Sequence, residues 1–295
     1  MALDADLQEK KNQLSEFVEI TKNVLNYLPA VLTSNSDKGD YRIHVNEQAG
    51  FKKYIRPINT RLFISDSASF DASFSAFSSL VVRIKNGERT FNDDELLIID
   101  RTLYTIQQSI GAGLDLLVNP NSARKHVGNR FEELIKVVFT EIGISNKKKV
   151  LKIPYETDEG TKVYKCENDL ILSPFEKVKS TSKSLDKNEI VVSVKTTSKD
   201  RMGKMFIDKI LLERFVEHDQ KVIGIFLNDV QRKEHDNISY TLVSNLFMVY
   251  SKFLTELEGV YYLDPPPNAK KEPYNKYMKS FSELITTDVW RLLSS

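Results

Sequence analysis

Cysteine is almost missing from this chain of 295 residues, since Cys166 is the single one. One cysteine excludes an internal disulfide and a zinc site built from cysteines. The four histidines are scattered without ligand spacing, and no glycine-rich phosphate loop is present. We therefore expect an intracellular, cytoplasmic protein that uses no nucleotide cofactor.

Long hydrophobic runs are missing as well. No apolar stretch approaches the ~20 residues that cross a bilayer, so we expect no membrane span. The first residues, MALDADLQEKKNQ, are too acidic and too poor in apolar side chains for a secretory signal. The net charge of +1 gives no general attraction to nucleic acid. Any affinity for DNA must therefore come from a local patch.

What the chain does contain is typical of a globular protein, with 41% hydrophobic and 28% charged residues. Apolar residues recur at helical spacing near Ala5–Leu28, Phe70–Ile84 and Leu96–Ile110. Pro29 predicts the end of the first helix, and residues 30–65 are interpreted as irregular. We therefore predict a mostly helical N-terminal part, residues 1–119.

The remaining part, residues 120–295, has an α/β pattern. A helix follows Pro120, a hairpin turns at Asp158-Glu159-Gly160, and a buried strand covers Ile190–Lys195. A helix over Gly203–His218 and a strand over Val222–Leu227 come next. Strand, helix and strand in this order predict a parallel pair joined by a right-handed crossover. The sequence predicts a mixed-sheet core flanked by helices.

Lys195 is unusual because it ends an otherwise apolar strand. Val192 and Val194 point to one face of that strand, whereas Ser193 and Lys195 point to the other. A lysine placed there is costly unless a negative group lies near it. Candidate partners are Asp169, 195 − 169 = 26 residues before it, and Asp208, 208 − 195 = 13 residues after it.

The helix after Pro120 offers a further carboxylate. At about 100° per residue, Glu132 lies on the shoulder of its buried face, and Glu133 lies on the solvent side. Glu132 can therefore reach a cleft, although a flanking charge is the alternative. Hydrolysis of a phosphodiester needs charge neutralisation and an activated water, and Mg²⁺ prefers carboxylate ligands. We predict Asp169, Lys195, Asp208 and Glu132 as catalytic residues, with Mg²⁺ held by Asp169 and Asp208.

These residues carry a family resemblance. Asn168-Asp169 followed by Ser193-Val194-Lys195 resembles the PD-(D/E)XK nuclease superfamily, and within it the type II restriction endonucleases that recognise CCGG or CCNGG (EcoRII- and NgoMIV-like). In that branch a small residue stands two positions before the lysine, and the second acid lies on the following helix. Ser193 and Asp208 occupy those positions, and Glu132 matches a glutamate of the preceding helix.

The resemblance implies a restriction-endonuclease-like fold and Mg²⁺-dependent, sequence-specific cutting of double-stranded DNA. It also implies a homodimer on a palindromic G/C-rich site, with the helical N-terminal part, residues 1–119, serving DNA contacts or dimerisation. Lys199-Asp200-Arg201 falls on an arginine–acid–arginine triplet that recognises G·C pairs in the major groove. Three residues depart from the family pattern: Asn168 replaces proline, Asp208 replaces glutamate, and Lys199 replaces an arginine, whose donor fork lysine lacks.

Alternative interpretations remain for the protein and for its basic segments. The chain could be a catalytically inactive DNA-binding protein on the same scaffold, or a repair nuclease that recognises DNA shape. Lys199-Asp200-Arg201 could be a charged turn that caps the next helix. Tyr54 and Arg56 lie in a segment of bases and aromatics that is interpreted as a loop with anchoring aromatics, and the alternative, in which both residues bind DNA, is a DNA-contacting arm.

Overall fold

The computed structural model describes residues 2–199, 201–242 and 244–295. The helices are α1 (Leu3–Gln8), α2 (Leu14–Val31), α3 (Ser67–Lys85), α4 (Asp93–Leu117), α5 (Pro120–Glu141), α6 (Met202–Val216), α7 (Ser244–Phe253), α8 (Phe281–Glu283) and α9 (Val289–Ser294). The strands are β1 (Ser34–Lys38), β2 (Tyr41–Gln48), β3 (Phe51–Tyr54), β4 (Ile58–Asn59), β5 (Ser145–Thr157), β6 (Gly160–Ser173), β7 (Ile190–Lys195), β8 (Lys221–Phe226), β9 (Val230–Arg232), β10 (Ile238–Tyr240), β11 (Gly259–Tyr262) and β12 (Met278–Ser280). A 3₁₀ turn (Tyr274–Lys276) and a π-helical turn (Leu284–Asp288) complete the described elements.

A mixed sheet forms the centre of the fold. Its strands lie in the order β12-β11-β8-β7-β6-β5. β5, β6 and β7 pair antiparallel, whereas β7, β8, β11 and β12 run parallel to one another. The predicted α/β architecture, with a helix before the hairpin and a parallel β7–β8 pair joined through α6, is therefore confirmed.

Both faces of this sheet are covered, because its central strands are apolar on each side. Val192 and Val194 belong to a core cluster with residues of α4 and α5. Val191 belongs to a second cluster with Phe206 of α6. Gly224 of β8 allows α6 to approach closely, since a Cβ there would lie 2.5 Å from Cε of Met205.

The N-terminal part contains more strand than we predicted. Residues 30–65 are not irregular, because β1–β4 form a four-stranded antiparallel sheet. Tyr41, Ile43 and Val45 alternate on the buried face of β2 with polar residues on the other, which is a strand period of two. Pro29 does not end α2, which continues to Val31. So close to the end of the helix, proline removes little of its hydrogen bonding.

The predicted boundary at residue 119 falls between α4 and α5. One cluster of buried side chains crosses it, joining Phe17, Phe77 and Ile106 to Leu170 and Val192 of the sheet. The described residues contain no helix that is both long and apolar enough to cross a membrane.

Buried polar contacts also join the two parts of the chain. The carboxylate of Asp264, just after β11, accepts hydrogen bonds from Tyr41 Oη and Asn59 Nδ2, both at 2.9 Å. Asp100 of α4 accepts from the backbone N–H of Ser282 at 2.9 Å and from its hydroxyl at 2.6 Å. Burial raises the pKa of Asp100 to about 8, although the bonds from Ser282 oppose the shift.

The raised pKa of Asp100 predicts a pH-dependent stability. Below about pH 4 both folded and unfolded states hold the proton, whereas between about pH 4 and pH 8 only the folded state does. The free energy of unfolding should therefore fall as pH rises through this window, by up to ~1.4 kcal/mol per pH unit. Urea melts of wild type and Asp100→Asn at several pH values measure this, because asparagine removes the titration.

The exposed Asp94→Asn variant is the matched control on the same helix. Its stability should follow that of wild type across the pH range. A constant difference between wild type and Asp100→Asn from pH 4 to pH 8 would contradict the assignment.

Candidate active site

Two neighbouring strands separate next to the predicted site. β6 and β7 pair only through Leu170↔Val192, Ile171↔Val191 and Leu172↔Ile190. Beyond Leu170 and Val192 the pairing ends, and we call this opening (Asn168–Leu170 and Val192–Lys195) the strand fork. Asp169 lies on one side of the strand fork and Lys195 on the other.

A β-bulge sits at the strand fork. Lys147 pairs with Ile171 and Lys149 pairs with Asn168, so 149 − 147 = 2 steps on β5 oppose 171 − 168 = 3 steps on β6. The extra residue of β6 therefore lies at Asp169–Leu170. Bulges of this kind redirect a side chain out of the regular alternation of a strand.

The Asp169 carboxylate bridges the strand fork. Its Oδ2 accepts a hydrogen bond from the backbone N–H of Val194 at 2.9 Å and one from Nζ of Lys195 at 2.5 Å. The side chain thus takes the place of the missing backbone acceptor for Val194. Asp169 is 12% exposed and Lys195 is 31% exposed, so the pair is shielded but open to one side.

Glu132 of α5 reaches the same lysine from the helical side. Its Oε1 lies 3.4 Å from Nζ of Lys195, and its Oε2 lies 3.6 Å from Nζ of Lys148. Burial, and after it the charge of Asp169, raise the pKa of Glu132, against the opposing charges of the two lysines. Two carboxylates therefore face one ammonium group, and the structure brings Glu132, Asp169 and Lys195 together.

Glu133 is not in solvent, contrary to our expectation from the helical wheel. Its carboxylate accepts hydrogen bonds from Nη2 of Arg130 at 2.8 Å and from the backbone N–H of Lys11 at 2.9 Å. The segment between α1 and α2 covers that side of α5. A helical wheel drawn for one helix contains no information about a distant segment that packs on its outer face.

Asp208 lies on the α6 side of the sheet. Both of its carboxylate oxygens accept from Nζ of Lys204 at 2.6 Å. Burial, with the charge of Asp208 next, raises the pKa of the Cys166 thiol, which places this acid near β6. No described hydrogen bond or ion pair joins Asp208 to Asp169 or Lys195, so its part in the site stays a prediction.

The turn after Lys195 is held by a buried acid that we did not predict. Asp229 follows β8, is fully buried, and accepts from the backbone N–H of Ser198 at 2.7 Å and from its hydroxyl at 2.6 Å. Thr197, Thr241 and Tyr262 donate further hydrogen bonds to it, at 3.1, 3.0 and 2.8 Å. Buried hydrogen bonds to Asp229 therefore hold Thr197 and Ser198, just after Lys195, in place.

Two of the three residues predicted to recognise bases, Lys199 and Arg201, lie close to this network in sequence. Lys199 and Arg201 are exposed at the start of α6, directly after the anchored Ser198. Asp200 lies outside the residues that the structure describes.

Tyr54 and Arg56 are placed differently. Arg56 forms a bidentate pair with Asp115 of α4, with two side-chain contacts of 2.8 Å, and Gly111 leaves space for its guanidinium. A Cβ at position 111 would lie 2.4 Å from Nη1 of Arg56. Tyr54 packs edge-on against His235, beyond the short strand β9, with ring centroids 5.9 Å apart. Arg56 thus has a structural partner, and the role of both residues in DNA binding stays a prediction.

The chemistry of the strand fork suits a hard divalent cation. Mg²⁺ is usually bound by one or two carboxylates, with waters and substrate oxygens filling the other positions. Asp169 and Glu132 supply such a pair, and burial, with the charge of Asp169 adding to it, raises the pKa of Glu132. Among the described residues, however, no cluster of three or more histidine, cysteine or acidic side chains forms a complete protein cage.

Comparison with known proteins gives the same fold. No protein-family model matches the chain, and no curated protein sequence matches it. The crystal structure of the Type IIP restriction endonuclease Kpn2I is similar, with a TM-score of 0.71 and 16% identity, over 95% of this chain and 91% of Kpn2I. A complex of the restriction endonuclease PspGI with its substrate DNA has a TM-score of 0.42 and 12% identity, over 76% of this chain and 92% of PspGI. The likeness to Kpn2I shows that this chain has a restriction-endonuclease-like fold.

Removing the charge of Asp229 should loosen the turn after Lys195. Asparagine has nearly the same shape as aspartate but only one acceptor oxygen. The buried donors that bond to the two oxygens of Asp229 would then compete for one, and some would be left unpaired. We expect Asp229→Asn to lower the free energy of unfolding by ~1–3 kcal/mol in urea melts. The exposed Asp219→Asn variant is the control, and an equal effect of both substitutions would contradict the buried network.

Proposed function

We propose that this protein is a type II restriction endonuclease that cuts double-stranded DNA at a specific sequence by Mg²⁺-dependent phosphodiester hydrolysis. The observation that carries the proposal is the ammonium of Lys195 between the carboxylates of Asp169 and Glu132 at the strand fork. The shared fold with Kpn2I, itself a Type IIP restriction endonuclease, supports the same reaction class.

The charged residues at the strand fork, including Glu132 of α5, have distinct roles in this proposal. Asp169 would hold Mg²⁺, and Glu132, which faces the same lysine, would be the second carboxylate, with Asp208 as the predicted alternative. When bound, the metal would neutralise charge on the phosphate and lower the pKa of a water. Lys195 orients the attacking water or stabilises the negative charge of the phosphorane, since its Nζ already lies between the two acids.

Specificity would come from the segment after Lys195. Lys199, Asp200 and Arg201 would contact base edges in the major groove, where arginine pairs with guanine and aspartate accepts from cytosine N4. The anchored turn at Ser198 couples this segment to Lys195 through two intervening residues, Thr196 and Thr197. We propose a palindromic G/C-rich site of the CCGG or CCNGG type, bound by a homodimer whose two-fold axis matches that of the site.

Cleavage should depend on the charged groups of the strand fork. Incubation of wild type with mixed-sequence plasmid DNA and Mg²⁺ should give discrete fragments. Lys195→Ala and Asp169→Ala should reduce the cutting rate by ~100-fold or more, because each removes a group that stabilises developing charge. Lys183→Gln, an exposed lysine of the loop between β6 and β7, is the control and should cut at the wild-type rate.

Other outcomes would replace this proposal. Binding in chelator without cutting in any divalent cation would indicate an inactive DNA-binding protein. Cutting at ends or junctions without sequence preference would indicate a structure-specific repair nuclease. Sequencing the ends of the fragments would give the recognition sequence and the overhang.

The second metal-binding carboxylate can be identified from the Mg²⁺ requirement. We expect Glu132→Gln to raise the Mg²⁺ concentration for half-maximal cutting by ~10-fold or more, a change typical of groups that support a metal site. Asp208→Asn should change it less, because Asp208 is paired with Lys204. A larger shift for Asp208→Asn would instead assign the second carboxylate to Asp208.

A further inference from the structure

The hairpin formed by β5 and β6 extends beyond the sheet. The two strands pair from Ser145↔Ser173 to Thr157↔Gly160, whereas the strand pairing of β6 with β7 covers only Leu170–Leu172. Past Lys149↔Asn168 the hairpin is therefore a two-stranded ribbon whose base is the strand fork. Isolated hairpins are marginally stable in water, so the outer part of the ribbon needs support from one of its faces.

One face of the ribbon has that support. Leu151 and Cys166 lie opposite each other, are buried, and join the cluster that packs against α6. Side chains alternate along a strand, so Lys149 lies on the same face as Leu151, and Lys162 lies on the same face as Cys166. Lys162 is paired with Glu159 at 2.6 Å.

The other face carries lysines without such packing. Lys148 and Lys152 of β5 lie on it, and Lys165 of β6 is the direct cross-strand neighbour of Lys152. We call this the lysine face (Lys148, Lys152 and Lys165). Like charges directly opposite each other destabilise a strand pair. Among the described residues, no acid forms an ion pair with Lys152 or Lys165.

Acidic groups on the lysine face do not relieve this repulsion. Glu167 lies opposite Val150 in the register, and Glu156, nearer the tip, accepts a hydrogen bond from the Thr161 hydroxyl at 2.9 Å. Neither carboxylate forms an ion pair with Lys152 or Lys165 in the described part of the chain. The chain therefore keeps two exposed, facing ammonium groups without a protein counter-charge in the described residues.

The lysine face leads directly to the candidate active site. Lys148, at its base, lies 3.6 Å from Glu132, which contacts Lys195. From Lys148 to Lys152 the strand advances about 13 Å, at about 3.4 Å per residue. That distance matches about four base pairs of duplex DNA along its axis.

We propose that the lysine face binds the phosphate backbone of duplex DNA next to the bond that is cut. This inference rests on the proposed function, because DNA bound at the strand fork would extend along the ribbon. Phosphates would supply the counter-charge that Lys152 and Lys165 lack, and they would add affinity without reading sequence. Duplex DNA is the partner because it carries regularly spaced phosphates and because the lysine face lies beside the proposed site of phosphodiester cleavage.

The salt dependence of binding tests this proposal. Duplex affinity is measured by fluorescence anisotropy in chelator, from low to moderate KCl, for wild type and the double variant Lys152→Gln/Lys165→Gln. Two lost phosphate contacts should reduce the slope of log Kd against log salt by about 1.8 and weaken binding at low salt by ~10-fold or more. At saturating DNA with Mg²⁺, kcat should stay within about twofold of wild type, because the metal site is intact.

The matched control is Lys149→Gln/Lys162→Gln, which removes the same charge from the same hairpin on its packed face. This control should change the slope by less than half as much. Equal slopes for the two double variants, in a wild type that binds and cuts DNA, would overturn the lysine face alone. If wild type binds duplex DNA without cutting it, the nuclease proposal is overturned. The salt slopes of the two double variants would still decide whether the lysine face binds DNA. A wild type without duplex affinity would overturn both.

Thermal melting separates DNA binding from a structural role. Lys165→Gln should leave the melting temperature unchanged or raised without DNA, since it removes a repulsion. A clear drop would show that the lysine pair stabilises the hairpin itself, and this would also overturn the proposal.

Discussion

The end of strand pairing between β6 and β7 is the constraint on which the rest of the site depends. Where the backbones separate, the Val194 N–H loses its strand partner, and the Asp169 carboxylate accepts its hydrogen bond at 2.9 Å. The same carboxylate then meets Lys195, whose charge at the end of an apolar strand is costly without acidic partners. The bulge in β6 makes this contact possible, because it turns Asp169 out of the alternation that Leu170 and Ile171 follow. A backbone irregularity of one residue thus lies at the centre of the candidate site.

Around that centre the chain uses buried acids to fix loops. Asp229 gathers donors from the turn after β7, from the segment after β10 and from β11, so that one carboxylate orients three separate parts of the chain. Buried polar networks of this kind rigidify a fold when every member is satisfied. The exposed Lys199 and Arg201 therefore follow a turn that is held by buried hydrogen bonds.

The sequence was informative where periodicity and burial coincide. The apolar run of β7, the lysine at its end and the helix–hairpin–strand order could all be predicted, and with them the contact of Asp169 with Lys195. The bulge at Asp169 has no sequence signal. The strands of residues 30–65 were missed because β1 and β3 are short and mostly polar, although the alternation of Tyr41, Ile43 and Val45 was a usable signal. Glu133 and Asp229 were missed because their partners, Lys11 and Tyr262, are far away in sequence, and only packing brings them together.

The buried contacts of Asp264 have a consequence for the synthesis of the chain. Its partners Tyr41 and Asn59 lie 223 and 205 residues earlier in the sequence. Asp100 and its partner Ser282 are separated by 182 residues. While the protein emerges from the ribosome, the N-terminal sheet therefore exposes polar groups whose acceptors have not yet been made. Such long sequence separations slow folding, because loop closure must precede the contact. These buried contacts can therefore form only after residues 264 and 282 have been synthesised.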